Sequence, residues 1–231
     1  MVFKREGRKM DEMRPVEMRV GIIDQADGSA MVSFGKTRAI AAVYGPRELH
    51  PKHRQNNERA ILQCNYTMAP FSTSERVRPG PSRRSVEISK VTRDALEPAL
   101  FLEDFPRTTI DVYIIILQAH SGTRTAGINA ASLALADAGV QMRDLVSSVA
   151  VGKINGNYVM DLAGKEEEVT QCDLPIAYMP RYKKFTLMQM DGDLPEKDVK
   201  NLIKLAVKGC ETLYEKQRKA LLGKWSKEGK E

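Results

Sequence analysis

Apolar and polar residues alternate along the first quarter of the chain. The alternation over residues 16–23 predicts a half-buried strand, and a turn signal separates it from two further apolar segments, AMVSF and RAIAAVYG. Short strands joined by turns in this way are typical of an antiparallel meander. After a polar loop, the segment ILQCNYTMAPF predicts a fourth strand.

The middle of the chain contains two predicted helices with a strand between them. Residues 84–102 carry apolar side chains at spacings of three and four, which predicts an amphipathic helix capped by Ser82 or Ser85. Pro98 should kink that helix or end it early, because proline removes a backbone hydrogen bond and clashes with the preceding turn. The run TTIDVYIIILQ predicts a central strand covered on both faces. The segment INAASLALADAG is apolar almost all round, which predicts a buried helix that ends at Gly139.

Further strands and a long helix are predicted for the last third of the chain. The segments SSVAVGKING and NYVMDL predict a hairpin across Asn155 and Gly156, and strands follow in DLPIAYMP and KFTLMQMDG. An amphipathic helix is predicted from about residue 195 to residue 222. The order of strands, helix, strand, helix, strands and helix indicates the α+β class and suggests two related halves.

We expect one domain over residues 1–231, because no linker interrupts the pattern. Its core should span about residues 8–225, and the tail at 226–231 is expected to be disordered. With 231 residues, of which 42% are hydrophobic, the chain is long enough to bury a sizeable core.

Composition narrows the class of protein. The sequence has no run of about 18 apolar residues and no apolar N-terminal stretch of the kind that a secretion signal needs, so we predict a cytoplasmic protein without a membrane partner. Cys64, Cys172 and Cys210 lie far apart and form no Cys-x-x-Cys pair, which favours reduced thiols over disulfides or a zinc site. The net charge of +6 favours a polyanionic partner where the basic residues share one face.

A Gly-Thr-Arg turn, Gly122 to Arg124, lies between the predicted buried strand and the predicted buried helix. Free backbone N–H groups at a helix start, a hydroxyl and a guanidinium are groups that bind phosphate. An alternative is that Arg124 pairs with a nearby carboxylate and Gly122 only permits a tight turn. Arg83 and Arg84 favour the phosphate interpretation, because they begin another helix whose positive dipole end also attracts anions.

Acidic residues precede the strand DLPIAYMP. Glu166, Glu167 and Glu168 lie shortly before Asp173. Carboxylate oxygens suit Mg²⁺ or Mn²⁺, which bind few protein ligands and otherwise bind water and substrate phosphate. The alternative for three consecutive glutamates is a solvated loop.

Several motifs taken together resemble the RNase PH family, in particular the catalytic RNase-PH-like subunit of the archaeal exosome. The similarity spans about residues 8–225. The motifs that carry it are YGPRELHPKH, RAILQCNYTMAPFS, PGPSRRSVEISKV, FPRTTIDVYIIILQA, GTRTAGINAASLALADAGVQMRDLV and DLPIAYMP. The resemblance implies the RNase PH fold, with duplicated β-α-β units also seen in a ribosomal protein domain.

The resemblance also implies an activity and an assembly. Members of this kind are 3′-to-5′ exoribonucleases that use inorganic phosphate as the nucleophile and release nucleoside diphosphates from single-stranded RNA. They work in a hexameric ring with a companion RNase-PH-like subunit and RNA-binding cap proteins. The expected co-substrate is therefore inorganic phosphate, and the expected metal is Mg²⁺ or Mn²⁺.

Site residues follow from the positions that match the family motifs. Asp173 matches the essential aspartate, and Glu167 matches a second acidic position, which implies that both are catalytic and hold the metal. The residues that match the phosphate-binding positions are Arg84, Gly122, Thr123 and Arg124.

The predicted RNA contacts are basic. Arg83 matches a contact to the RNA backbone, and Lys52, in the HPKH loop, matches a segment that faces the central channel. Arg76 and Arg78 are further candidates, because they belong to a basic loop that also contains prolines and a glycine.

The chain departs from the family pattern close to the predicted site. The second acidic position is usually Asp and is Glu167 here, and the usual Ala-Asp-Gly or Ala-Asp-Ala is replaced by Ala119, His120 and Ser121. These departures favour an alternative to an active enzyme, which is a catalytically inactive ring subunit that binds RNA. A separate alternative is a free-standing RNA-binding domain, which lacks support because no RNP, KH or OB signature is present.

Overall fold

The computed structural model describes residue 5 and residues 7–228, which form two sheets with a helix between them. The first sheet contains, in spatial order, β1 (Val16–Val20), β2 (Gly28–Phe34), β3 (Thr37–Glu48), β5 (Thr108–Gln118) and β4 (Ile61–Met68). The first three strands pair antiparallel, so the predicted meander is confirmed. Strands β4 and β5 pair parallel, and the helix α1 (Arg83–Leu96) connects them.

Helix α1 begins with a capping box. The Ser82 hydroxyl accepts a hydrogen bond from the Ser85 N–H at 3.0 Å, and the Ser85 hydroxyl accepts one from the Ser82 N–H at 2.8 Å. The helix ends at Leu96, and a short 3₁₀ turn follows that contains Pro98. The early end predicted from the proline is confirmed, and the predicted extension to residue 102 is wrong.

Helix α2 (Thr123–Asp137) lies between the two sheets. Twelve of its residues are buried, as its uniformly apolar sequence predicts. Gly139 follows the helix with a φ of +72°, a conformation that glycine adopts without steric cost.

Strand β5 is covered on one face only. Tyr113 is 41% exposed and Ile115 is 43% exposed, whereas Val112, Ile114 and Ile116 are fully buried. Within this chain the prediction of two covered faces is wrong, because the side chains of Tyr113 and Ile115 on one face remain open to solvent. Apolar side chains on the open face hid the period of two in the sequence.

The second sheet is antiparallel throughout the described residues. Its strands are β6 (Ser147–Ile154), β7 (Asn157–Met160), β8 (Cys172–Met179), β9 (Lys184–Met188) and β10 (Asp191–Gly192). Strands β6 and β7 pair antiparallel, so the predicted hairpin is confirmed. Asn155 and Gly156 both have positive φ, at 49° and 80°, as in the type I′ turn that matches the twist of the flanking strands. The one-turn helix α3 (Glu166–Val169) precedes β8.

Helix α4 (Glu196–Glu228) packs its apolar side on the second sheet, where Leu202, Ala206, Cys210 and Leu213 are fully buried. It continues past the predicted end at residue 222, so residues 226–228, expected in a disordered tail, are helical, while 229–231 lie outside the described residues. None of the helices over the described ranges is long and apolar enough to cross a membrane.

The α+β class and the element order predicted from the sequence are confirmed. Buried residues of both sheets and of α1, α2 and α4 form one hydrophobic cluster. The three cysteines are free, with Cys172 and Cys210 buried and Cys64 half-buried.

Candidate active site

The starts of α1 and α2 face the second sheet across a cleft of about 670 Å³. The cleft brings together residues predicted for phosphate binding and for catalysis, which are Arg84, Gly122, Thr123, Arg124, Glu167 and Asp173. The topology explains this convergence. Because β4 and β5 run parallel, α1 and α2 follow strand ends at the same edge of the first sheet.

The loop from residue 119 to 122, hereafter the phosphate loop, turns the chain from β5 into α2. Ser121 and Gly122 have φ values of 65° and 67°, so two consecutive residues are left-handed. Gly122 is the N-cap of α2 and supplies no side-chain cap, which leaves first-turn N–H groups free to bind an anion. The Thr123 hydroxyl is buried and forms no hydrogen bond of normal geometry, although the Tyr66 hydroxyl lies near it, so it is a further donor for such an anion.

Arg124 forms an ion pair with Glu87, at 3.0 Å between Nη2 and Oε1, and its Nη1 donates to the Gln189 amide oxygen. The alternative in which Arg124 pairs with a nearby carboxylate is therefore correct about the contact. The guanidinium nevertheless keeps a buried Nε without a hydrogen-bond partner. Because Arg124 lines the cleft beside the start of α2, it retains capacity to bind an anion.

Asp173 lies near the start of β8, and its Oδ1 is buried without a hydrogen-bond partner. Burial and the negative charges of Glu167 and Asp191 raise the pKa of Asp173 to about 6, against the opposing effects of Arg124 and Arg84. A carboxyl group with this pKa is partly protonated near neutral pH, so it can donate a proton to an oxygen in the cleft.

Glu167 lies on α3 and reaches the phosphate loop. Its Oε1 accepts a hydrogen bond from the Gly122 N–H at 3.3 Å. The neighbouring Glu166 is buried and pairs with Arg5 at 2.9 Å, which fixes α3 against the N-terminal segment. Glu168 does not line the cleft, so of the three consecutive glutamates only Glu167 faces it.

A buried arginine supports the phosphate loop from behind. Arg14 binds both carboxylate oxygens of Asp161, at 2.8 Å and 2.6 Å, and donates to the His120 carbonyl at 2.6 Å. The Thr37 hydroxyl donates to the Ser121 carbonyl at 2.7 Å. These contacts hold the left-handed backbone of the loop, which would otherwise be costly for a serine.

The predicted RNA contacts lie outside the cleft. Arg76, Arg78 and Arg83 are exposed on the loop that leads into α1 and on its first residue. Lys52 is in a 3₁₀ turn after β3, whose last residue pairs with the first residue of β5, whereas the phosphate loop follows the last residue of β5. The length of β5 therefore separates Lys52 from the cleft by about 30 Å.

Sequence reasoning missed several residues that line the cleft, namely Glu87, Gln189, Met190 and Asp191. Asp191 pairs with Asp173 across the β8–β10 ladder, which places a third carboxylate near the two predicted ones. Glu87 could have been predicted from the sequence, because it lies one helical turn after Arg83 and Arg84 on α1 and so faces the same side of the helix.

Glu167 and Asp173, the two residues predicted to hold a divalent cation, both line the cleft. Among the side chains that the structure describes, no group of three or more His, Cys, Asp or Glu residues is arranged to hold a metal ion. Two carboxylates suffice for Mg²⁺, which takes its remaining ligands from water and substrate phosphate. The buried and unpartnered Oδ1 of Asp173 is an acceptor that a cation would satisfy.

Comparison with known proteins shows what the chain is related to. Domain 1 of the 3′ exoribonuclease family (RNase PH) matches residues 12–141, and domain 2 of that family matches residues 144–209. The exosome complex component Rrp41 of Thermococcus onnurineus is 57% identical over 222 residues, which cover 96% of this chain and 89% of that protein. The exosome complex component Rrp41 of Methanopyrus kandleri is 53% identical over 220 residues, covering 95% and 92%.

Solved structures of exosome proteins are also similar to this chain. A chain of the Archaeoglobus fulgidus exosome with RNA bound to the active site aligns with a TM-score of 0.79 at 26% identity, covering 91% of each chain. Rice (Oryza sativa) Rrp46 aligns with a TM-score of 0.85 at 22% identity, covering 94% of this chain and 98% of that one, and shows the shared fold. The matches cover nearly the whole chain at an identity well above 30% for the archaeal relatives, and the chain therefore belongs to the RNase PH family of 3′ exoribonucleases.

Proposed function

We propose that the chain is the catalytic subunit of an exosome-like ring and degrades single-stranded RNA from the 3′ end by phosphorolysis. One observation carries the proposal. A single cleft combines unpartnered donors at the start of α2, on Thr123 and Arg124, with a carboxyl group on Asp173 whose pKa is raised to about 6. Donors suited to phosphate and a proton donor are what phosphorolysis needs.

Inorganic phosphate binds at the phosphate loop, between the start of α2 and Arg84. A phosphate oxygen attacks the phosphorus of the last phosphodiester, and the bond from that phosphorus to the 3′ oxygen of the preceding nucleotide breaks. The released nucleoside diphosphate carries the attacking phosphate. Arg84, Thr123 and Arg124 hold the nucleophile and stabilise the charge that develops on the phosphoryl oxygens.

Asp173 donates a proton to the departing 3′ oxygen. The raised pKa supports this role, because a carboxyl group that is ionised throughout the neutral range could not supply the proton. Mg²⁺ or Mn²⁺ would be held by Glu167 and the ionised form of Asp173, so in that form the cation would supply charge neutralisation at the phosphates and at the departing 3′ oxygen in place of the Asp173 proton.

RNA is held through its backbone, with little sequence preference. Arg76, Arg78 and Arg83 are exposed beside the start of α1, where they can contact phosphates next to the cleft. Lys52 is distant from the cleft and is proposed to guide RNA farther along its path.

The relatives support a proposal about the partners. Because the archaeal relatives are named as exosome complex components, we extend to this chain a ring with a companion RNase-PH-like subunit and RNA-binding cap proteins, in the cytoplasm. The exposed apolar side chains of Tyr113 and Ile115 support association with another protein. An inactive ring subunit is disfavoured because the phosphate-binding side chains and Asp173 converge in the cleft.

Arg124→Ala tests the phosphate site. It removes a charge-assisted contact of about 1.5–3 kcal/mol, so the phosphate concentration for half-maximal RNA decay should rise about tenfold or more. RNA affinity should change little. The measurement is a phosphate titration of decay rate in the assembled ring. Arg19→Ala, on the exposed edge strand β1, is the matched control and should titrate like the parent. An unchanged phosphate requirement in Arg124→Ala would contradict the assignment.

A further inference from the structure

Gly164, in the loop before α3, joins that loop to the phosphate loop. Its N–H donates to the Ser121 hydroxyl at 2.6 Å, and its carbonyl accepts from the Glu167 N–H at 3.2 Å. The Glu167 carboxylate accepts a hydrogen bond from the Gly122 N–H of the phosphate loop at 3.3 Å. These hydrogen bonds form a closed path from the phosphate loop to the acidic residue and back.

The imidazole ring of His120 lies against the Cα of Gly164. A Cβ at position 164 would lie 3.0 Å from His120 Cε1 and 3.1 Å from Nε2, which is tighter than ordinary van der Waals contact. Gly164 also has a φ of +54°, in the left-handed region. Position 164 therefore requires glycine for two reasons, and its backbone is fixed by the Ser121 hydroxyl and the His120 ring together.

Serine is an unfavourable residue for the backbone at position 121. Its φ of 65° is one that glycine adopts more readily than any residue with a side chain. The hydroxyl gives the serine a function that glycine would lack, because it binds the Gly164 N–H. A residue kept in a costly conformation at a functional site points to a use for its side chain.

Glu167 reaches the phosphate loop from the one-turn helix α3, and its own N–H is bound to the Gly164 carbonyl. The place that the Glu167 carboxylate takes at the start of α2 therefore depends on where the Gly164 backbone lies.

We propose that His120 and Ser121 are positioning residues, which fix the Gly164 backbone so that Glu167 places its carboxylate at the start of α2. The inference rests on the proposed phosphorolytic function. Neither residue lines the cleft, and each acts through Gly164. Misplacing a catalytic group by about 1 Å can cost on the order of 100-fold in rate, so loss of this support lowers kcat. The phosphate donors Thr123 and Arg124 remain, so the KM for phosphate stays close to that of the parent.

Ser121→Gly separates positioning from a structural role. The change removes the hydroxyl but relaxes the left-handed backbone, so the thermal unfolding temperature should not fall. In the ring assembled with the companion subunit, kcat for phosphorolysis should fall about tenfold, while the KM for phosphate changes by less than about twofold. If Ser121 had only a structural role, the Ser121→Gly variant would keep the kcat of the parent.

A double-variant cycle identifies Glu167 as the residue that is positioned. In the Glu167→Gln background, Ser121→Gly and His120→Ala should cause no further loss of kcat, because the carboxylate that they place is already gone. Ser29→Ala is the matched control. Its hydroxyl also accepts backbone N–H groups, at 2.9 Å, but lies near the far end of α2, so kcat should be unchanged.

The outcomes distinguish this inference from the proposed function. A Ser121→Gly ring with the kcat of the parent, or additive losses in the double variants, overturns the inference alone. A parent ring without phosphate-dependent RNA decay overturns the proposed function and the inference with it. A lower kcat with an unchanged phosphate KM, abolished in the Glu167→Gln background, supports the inference.

Discussion

Asp173→Asn is expected to lower the rate of phosphorolysis by at least about 100-fold, the scale of losing a general acid–base group. Asparagine preserves the shape of the side chain but cannot donate the proton that the departing 3′ oxygen needs. RNA affinity should remain nearly unchanged, because the predicted RNA contacts Arg76, Arg78 and Arg83 lie outside the cleft. The measurements are single-turnover decay of a labelled RNA and an equilibrium binding titration.

Asp193→Asn is the matched control for that variant. Asp193 is exposed, lies two residues after Asp191 and does not line the cleft, so its loss removes the same charge nearby without removing the proton donor. Its decay rate should be that of the parent. A rate for Asp173→Asn within about threefold of the control would contradict a general acid at this position.

The isolated chain is expected to degrade RNA weakly, and mixing it with a companion RNase-PH-like subunit should give strong phosphate-dependent activity. Two features support the dependence on assembly. Tyr113 and Ile115 leave an apolar sheet face open to solvent, and the basic loop alone offers few contacts to an RNA backbone. Light scattering should show a small species for the chain alone and a ring for the mixture. A monomer with the full activity of the ring would contradict this prediction.

Much of the fold follows from local chemistry that a sequence displays. The Ser82 cap, the early helix end before Pro98 and the turn at Asn155 and Gly156 each depend on residues that lie within a few positions of one another. The placement of Arg124 at a helix start also follows from the local pattern of strand, turn and helix. These elements were therefore predictable.

Other parts of the site depend on contacts between distant residues. Arg14 pairs with Asp161 across 147 positions, and Arg5 pairs with Glu166 across 161 positions. The sequence pattern around each of these residues does not indicate its partner, because each charged residue on its own is typical of a solvent-exposed position. The open face of β5 was missed for a related reason, since apolar side chains on both faces conceal the alternation.

The identity of the product tests the central claim most directly. Decay of a single-stranded RNA from its 3′ end by the assembled ring should require inorganic phosphate. The products should be nucleoside diphosphates, which thin-layer chromatography separates from nucleoside monophosphates. Excess nucleoside diphosphate should drive the reaction backwards and lengthen the RNA. Nucleoside monophosphates released in phosphate-free buffer would contradict the phosphorolytic account.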